Sequence, residues 1–266
     1  MTATHAAAAA VRGPLLHLAA LAAAATVLTQ ILWVLVPEEL RDAATVASVV
    51  LFATASLAHA AHTRGTAWTL RYALIAASVG WLAEAIGTTT GWPFGDYHYA
   101  DSLGPKLGPV PLVIPLAWLM MAYPVLLAAR RSTRSALAAT CYAAALLTAW
   151  DLFLDPQMVA EGHWVWFEPG PMLPGIPGIP AQNFVGWFLV GLILFGAAAA
   201  ALPDQPSVDD RLPAAMLLWV FASNVMANAL FWGRSMVALI GGTVMALLLI
   251  PWLRTGILDR RFWTLG

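Results

Sequence analysis

The chain has 266 residues, 61% of them apolar and only 10% charged, with a mean hydropathy of +0.75 and a formal net charge of −1. A soluble domain is about half apolar and roughly a quarter charged, so a water-soluble globule, a disordered chain and a nucleic-acid binder are all excluded. What remains is one integral-membrane domain over 1–266, an all-α polytopic helix bundle.

A membrane-crossing helix needs about 20 mainly apolar residues for about 30 Å of hydrocarbon. Eight runs qualify: 14–36, 43–62, 68–87, 110–128, 135–154, 184–202, 213–232 and 235–253. The first follows Ala-rich sequence and Arg12, but it is long and lacks a cleavage site, so it reads as a span rather than a signal peptide. The second carries a lone HxxH, His59 and His62, without the further histidines a di-iron site needs. In the third, Glu84 is expected about one turn from the span end, with Trp81 three residues before it and on its face. The fifth holds Asp151, with Asp155 expected at its end, and Cys141, which reads as a small buried hydrophobe. Asn224, Asn228 and Trp232 form an i, i+4, i+8 stripe on the seventh, either interhelical glue or pocket lining. The GxxxG spacings Gly87–Gly91 and Gly104–Gly108 read as turn glycines.

Charge supports the even count. Arg12, Arg64, Arg71, Arg130, Arg131, Arg134, Arg211, Arg254, Arg260 and Arg261 fall on one side, and Arg41, Lys106 and Arg234 on the other. The positive-inside rule then places both termini in the cytoplasm. The two long connections, 88–109 and 155–183, and most acidic residues fall on the opposite side. Loops of that length are often functional, and their Gly, Pro and aromatic content predicts ordered caps. A site near the non-cytoplasmic leaflet is therefore expected.

Ionisable groups inside a span cost about 2.5–3.5 kcal/mol on insertion scales and suggest function by default. Asp151 and Asp155 are four apart, which puts them on one helix face about 5–6 Å apart. Poorly hydrated, such a pair resists double ionisation, so one retains a proton and can serve as a general acid. The bland alternative is a helix-end pair wetted by the interface. Aromatics crowd both acidic regions: Trp81, Trp92, Phe94, Tyr97 and Tyr99 in the first, Trp150, Trp164, Trp166 and Trp187 in the second. They are membrane anchors or a lining whose π faces stabilise a cation. His98 and His163 could join the acids as proton relays or metal ligands. No metal site and no cofactor-binding loop is assigned.

EAIGTTTGWPFGDYHY at 84–99, LGPKLGPVPLVIPLAWLMMAYP at 103–124, WDLFLDPQMV at 150–159 and NFVGW at 183–187 together resemble the integral-membrane carotenoid biosynthesis proteins that include bisanhydrobacterioruberin hydratase and the γ-carotene and lycopene 1′-hydratases. GPMLPGIPGIPAQ at 170–182 is longer and richer in Pro and Gly than that pattern. The resemblance implies a cofactor-independent hydro-lyase that adds water across the C1=C2 bond of an acyclic ψ end group through a tertiary carbocation. For that chemistry the buried acids offer Asp151 or Asp155 as the expected proton donor, with Glu84 positioning water or its partner. Trp81, Thr88, Trp92, Phe94, Asp96, Tyr97, Tyr99, Trp118, Trp150, Asn183, Trp187 and Asn228 would contact substrate, with Asp96, Tyr97 and Tyr99 closing over the reacting end. The implied partners are an acyclic carotenoid, the lipid bilayer and other carotenoid-pathway enzymes. Residue chemistry alone leaves two alternatives, an end-group cyclase that quenches the cation by losing a proton, and a non-enzymatic transporter or carotenoid-binding protein.

Overall fold

The computed structural model describes residues 2–168, 170–204 and 209–254, with side chains from residue 13 onward. Its helices are α1 (Thr2–Trp33), α2 (Glu38–Arg64), α3 (Thr66–Thr90), α4 (Val113–Ser132), α5 (Ala136–Ala160), α6 (Ala181–Ala201), α7 (Arg211–Met226) and α8 (Ser235–Trp252). A π-helical turn, Ala227–Phe231, extends α7. With that extension, eight helices among the described residues are long and apolar enough to cross a membrane.

Boundaries move where local chemistry outvotes hydropathy. Helix α2 begins at Glu38, five residues before its apolar run, because Glu38 and Glu39 in the first turn suit the positive helix start. Helix α5 passes through Pro156 and reaches Ala160. Proline removes one helix bond, but the chain beyond it bonds again, Glu161 N–H donating to Gln157 O at 3.0 Å. Asp155 is therefore a mid-helix residue, 2% exposed, and not a helix-end group.

Helix α4 is central, touching α2, α3, α5, α7 and α8. It is buried without interruption from Trp118 to Ala129, as expected of a helix apolar on every side. The peripheral helices turn Leu21, Leu28, Leu74, Ile193 and Leu239 outward, where lipid is as good a solvent as protein interior. The same physics corrects the reading of Cys141, which lies on the exposed face of α5. An apolar run identifies a span, not which side faces the core.

At one end of the bundle the two long connections pair. Strand β1 (Tyr97–Tyr99) lies antiparallel to β4 (Trp164–Trp166), with Tyr97 opposite Trp166 and Tyr99 opposite Trp164. Side chains alternate along a strand, so Tyr97, Tyr99, Trp164 and Trp166 point inward while His98 and Val165 are exposed. A small hairpin, β2 (Lys106–Leu107) with β3 (Val110–Pro111), follows β1. The Pro- and Gly-rich 170–182 stretch is folded back on itself by a bridge between Met172 and Pro180.

Glycine lets this cap approach the helices. Gly91 ends α3 in the left-handed conformation, φ 73°. Gly87, inside α3 rather than in a turn, leaves room for the Phe94 ring: a Cβ there would stand 2.7 Å from Phe94 Cδ2. Gly186 of α6 does the same on the other edge, where a Cβ would stand 2.8 Å from both Phe94 Cδ1 and Pro93 O. Phe94 is wedged between two helices that only glycine allows so close.

Candidate active site

Under the ribbon lies a cavity of about 180 Å³, with lining from α1 to α7 and both ribbon strands. Two acidic stations stand in or beside it. Glu84, on α3, is 5% exposed. Its Oε2 accepts from the hydroxyls of Tyr97 and Tyr99, the latter at 2.7 Å, and its Oε1 from Trp118 Nε1 at 2.9 Å. The second station joins Asp151 and Asp155, one turn apart on α5, through Asn183 near the start of α6. The Asn183 Nδ2 amide donates to Oδ2 of both, at 2.8 Å for Asp151. Asp155 Oδ1 also accepts from Trp164 Nε1 at 3.0 Å, whereas Asp151 Oδ1 has no protein partner among the described residues.

Every donor to these three carboxyl groups is neutral. Among the described residues no ion pair joins them to Lys, Arg or His. Burial, reinforced by the Glu84 charge, holds the hydroxyls of Tyr97 and Tyr99 well above the ordinary tyrosine range, so both remain O–H donors. Trp118 stacks on Trp187 with centroids 4.2 Å apart and planes 12° apart, and Trp150 meets Trp187 edge-on at 5.9 Å. Tryptophan faces of this kind attract cations.

The cavity lining includes Glu84, Asp155, Phe94, Tyr97, Tyr99, Trp118, Trp150, Asn183 and Trp187. Other sequence candidates stand elsewhere. Asp151 lies behind Asp155, fully buried. Trp81 is half-buried and donates to Leu107 O of the hairpin at 3.2 Å, so it braces the cap. Thr88 spends its hydroxyl on Glu84 O, one turn back, at 2.8 Å. Trp92 is 58% exposed. Asp96 is exposed too, having the outward parity of His98, so of the three residues expected to close the cap only the tyrosines turn in. Asn228 is buried and bonded to Asn224 O at 2.9 Å, while Asn224 and Trp232 reach the cavity. The π-helical turn breaks the regular stripe those three would have made.

The histidines separate from the acids. His163 is fully buried and bonded through Nδ1 to Ser102 Oγ at 2.8 Å, and burial pushes its imidazole down. His98 stacks on Phe167 at 4.7 Å. His59 bonds Tyr123 and Asp209 O near the other end of α2. Among the described residues no three His, Cys, Asp or Glu side chains are grouped to hold a metal ion. Sequence reasoning missed the contribution of α1 and α2, Gln30, Trp33, Thr45, Ser48 and Phe52. Its only trace is small polar residues three apart in an apolar run.

Fold and site together define a multi-pass membrane protein with a buried, acid-bearing, tryptophan-walled chamber. The chain belongs to the carotenoid biosynthesis protein family, whose model matches residues 44–250. It is 34% identical over 154 residues to the bisanhydrobacterioruberin hydratase of Haloarcula japonica, a match covering 51% of this chain and 50% of that protein. The chain thus matches about half the length of that curated relative. No solved structure matches it.

Proposed function

We propose that the protein is a carotenoid hydratase that adds water across the C1=C2 bond of an acyclic ψ end group. The observation that carries this reading is the pair of acidic stations, three buried carboxyl groups in or beside an aromatic cavity that, among the described residues, receive hydrogen bonds only from neutral donors. The relative's name, a hydratase acting on a carotenoid, supports it from outside the structure.

Two carboxyl groups sharing one amide donor in a dry site retain one proton between them. Asp155 faces the cavity and gives that proton to C2, with Asp151 behind it as partner and Asn183 fixing both. The π electrons form the new C–H bond and leave a tertiary cation at C1. That cation lies against the tryptophan faces and the Glu84 carboxylate, which three hydrogen bonds hold as an acceptor. Water attacks C1, its surplus proton passes to Glu84, and return of that proton to the aspartates restores the enzyme. The product is a tertiary alcohol. The balance is alkene plus water, with no net electron transfer, so the reaction calls for no redox cofactor.

The arginine distribution supports cytoplasmic termini and a cavity near the non-cytoplasmic leaflet; reporter fusions at each terminus and in the 88–109 connection test that placement. The reaction is tested by expressing the chain in a lycopene-accumulating host in ¹⁸O-labelled water, alongside a panel of longer acyclic carotenoids. A pigment heavier by one water and carrying the label is expected. An isomer of unchanged mass would identify a cyclase, and no conversion across the panel would leave a binding or transport protein. Asp151→Asn is expected to abolish turnover while the protein stays in the membrane.

A further inference from the structure

The cavity carries a second polar group that the hydration scheme leaves unused. Its lining from α1, α2 and α7 includes Gln30, Thr45, Ser48 and Asn224. At 1.5 Å per helical residue, Thr45 and Ser48 lie about 10 and 15 Å from the start of α2, and Asp155 and Asp151 about 8 and 13 Å from the end of α5. Those two helix ends are neighbours, Arg41 of α2 reaching Glu161 beyond α5 at 3.6 Å. Both polar groups therefore sit at one depth, on different helices around one chamber.

Hydrogen-bond accounting sets Thr45 and Ser48 apart. Among the described residues five Ser and Thr hydroxyls on the spans are buried: Thr26, Thr45, Ser48, Ser56 and Thr69. Three of them donate to backbone carbonyls, Thr26 to Ala22 O, Ser56 to Met120 O and Thr69 to Gly65 O. Thr45 and Ser48 do not. Each accepts a bond, from Trp33 Nε1 and Gln30 Nε2 respectively, both at 3.0 Å, and donates none among the described residues. These two are also the ones that line the cavity. Asn224 has the complementary gap: its Nδ2 bonds Val220 O at 2.8 Å, while its Oδ1 accepts nothing among the described residues. A hydroxyl can donate one bond and an amide oxygen can accept two, and polar groups removed from water are normally paired.

We propose that Thr45, Ser48 and Asn224 form a subsite for a neutral O–H group inside the chamber, the two hydroxyls donating to its oxygen and Asn224 Oδ1 accepting its hydrogen. This rests on the carotenoid-hydratase reading and deepens it. The O–H group has two sources, a hydroxyl already present on the carotenoid near its reacting end, or the water to be added.

The test uses membranes containing the full chain and two acyclic carotenoids of equal length, one bearing a tertiary hydroxyl near the reacting end and one without it. Ser48→Ala and Asn224→Leu are compared with wild type and with Ser48→Thr, which keeps the hydroxyl. A loss of about tenfold in kcat/KM on the hydroxylated substrate alone, restored in Ser48→Thr, establishes a carotenoid-hydroxyl subsite. An equal loss on both substrates, carried by kcat with KM unchanged, assigns the subsite to water. Unchanged kinetics on both substrates would overturn the proposal. Asn224→Leu strands no neighbouring side chain, so it decides the matter even where Ser48→Ala, which leaves the Gln30 amide unpaired, fails to accumulate. Wild-type protein that converts neither substrate would instead overturn the hydratase reading.

Discussion

Buried carboxyl groups stand toward both ends of this bundle, and their partners set them apart. Near the ribbon, Glu84, Asp151 and Asp155 receive hydrogen bonds from tyrosine, tryptophan and asparagine. Toward the opposite end, Asp210 is gripped by two cations, Arg64 Nη2 at 2.6 Å and Arg131 Nη2 at 2.8 Å. Even the tyrosines differ in use. Tyr97 and Tyr99 donate to the Glu84 carboxyl group, whereas the Tyr123 hydroxyl accepts from Arg64 at 2.9 Å and is bonded to His59 Nδ1 at 2.8 Å. A carboxylate matched by cations is spent on structure, here tying the segment before α7 to α2 and α4. A carboxyl group held only by neutral donors keeps its capacity to give or take a proton.

The sharpest way to break this contrast is Asp155→Asn. It preserves shape and an acceptor for Trp164 but turns an amide donor toward Asn183, so the protein should still accumulate, with a modest loss of thermal resistance, while turnover falls at least a hundredfold, within the 10²–10⁴ range typical of general acids. Normal turnover in membranes would remove Asp155 from the chemistry. Asp210→Asn should behave inversely. It leaves the Arg64 side chain, 3% exposed, without a charged partner, and breaking a buried pair costs about 3–5 kcal/mol. Yield and thermal resistance in detergent should drop, with activity per folded molecule unchanged; lost specific activity at normal stability would erase the distinction between the two ends.

Gly186→Ala sharpens the comparison at the cap. The added methyl meets Pro93 O and the Phe94 ring, an overpacking cost of about 1–3 kcal/mol, and it shifts the Phe94 wedge. A moderate loss of both stability and turnover is expected, whereas Gly196→Ala on the same helix, whose Cβ would meet nothing within 4 Å, should be silent. Tyr99→Phe tests the Glu84 station itself. One of three bonds to Glu84 is removed, worth about 1.5–3 kcal/mol if Glu84 is charged, so kcat should fall at least tenfold with KM nearly constant. Because burial keeps Tyr97 and Tyr99 protonated beyond the usual tyrosine range, wild-type activity should show no tyrosine ionisation limb near pH 10; a limb there that vanishes in Tyr99→Phe would contradict the buried geometry.

Much of this contrast was legible in the chain. Glu84, Asp151 and Asp155 stood out because a carboxyl group within an apolar run is costly wherever it falls. The apolar run ends at 154 and so places Asp155 at a helix end, and only bonding beyond Pro156 shows the helix continuing. Asp96 and Tyr97 were indistinguishable in composition, and strand parity separated them by turning one out and the other in. Thr45 and Ser48 were invisible as site residues, since a small hydroxyl on a span is ordinarily satisfied by its own helix.

The sequence by itself determined the eight spans, the all-α class and the acid-rich, aromatic character of the site, because hydropathy and the cost of burying charge are local properties that add along the chain. Tertiary structure alone decided that β1 pairs with β4, that Asp155 faces the cavity with Asp151 behind it, and that α1, α2 and α7 contribute a second polar wall. Those outcomes depend on which donor meets which acceptor across tens of residues. Every span is apolar enough for lipid, so hydropathy cannot tell a face that packs inward from one that faces the membrane; contact between helices makes that choice.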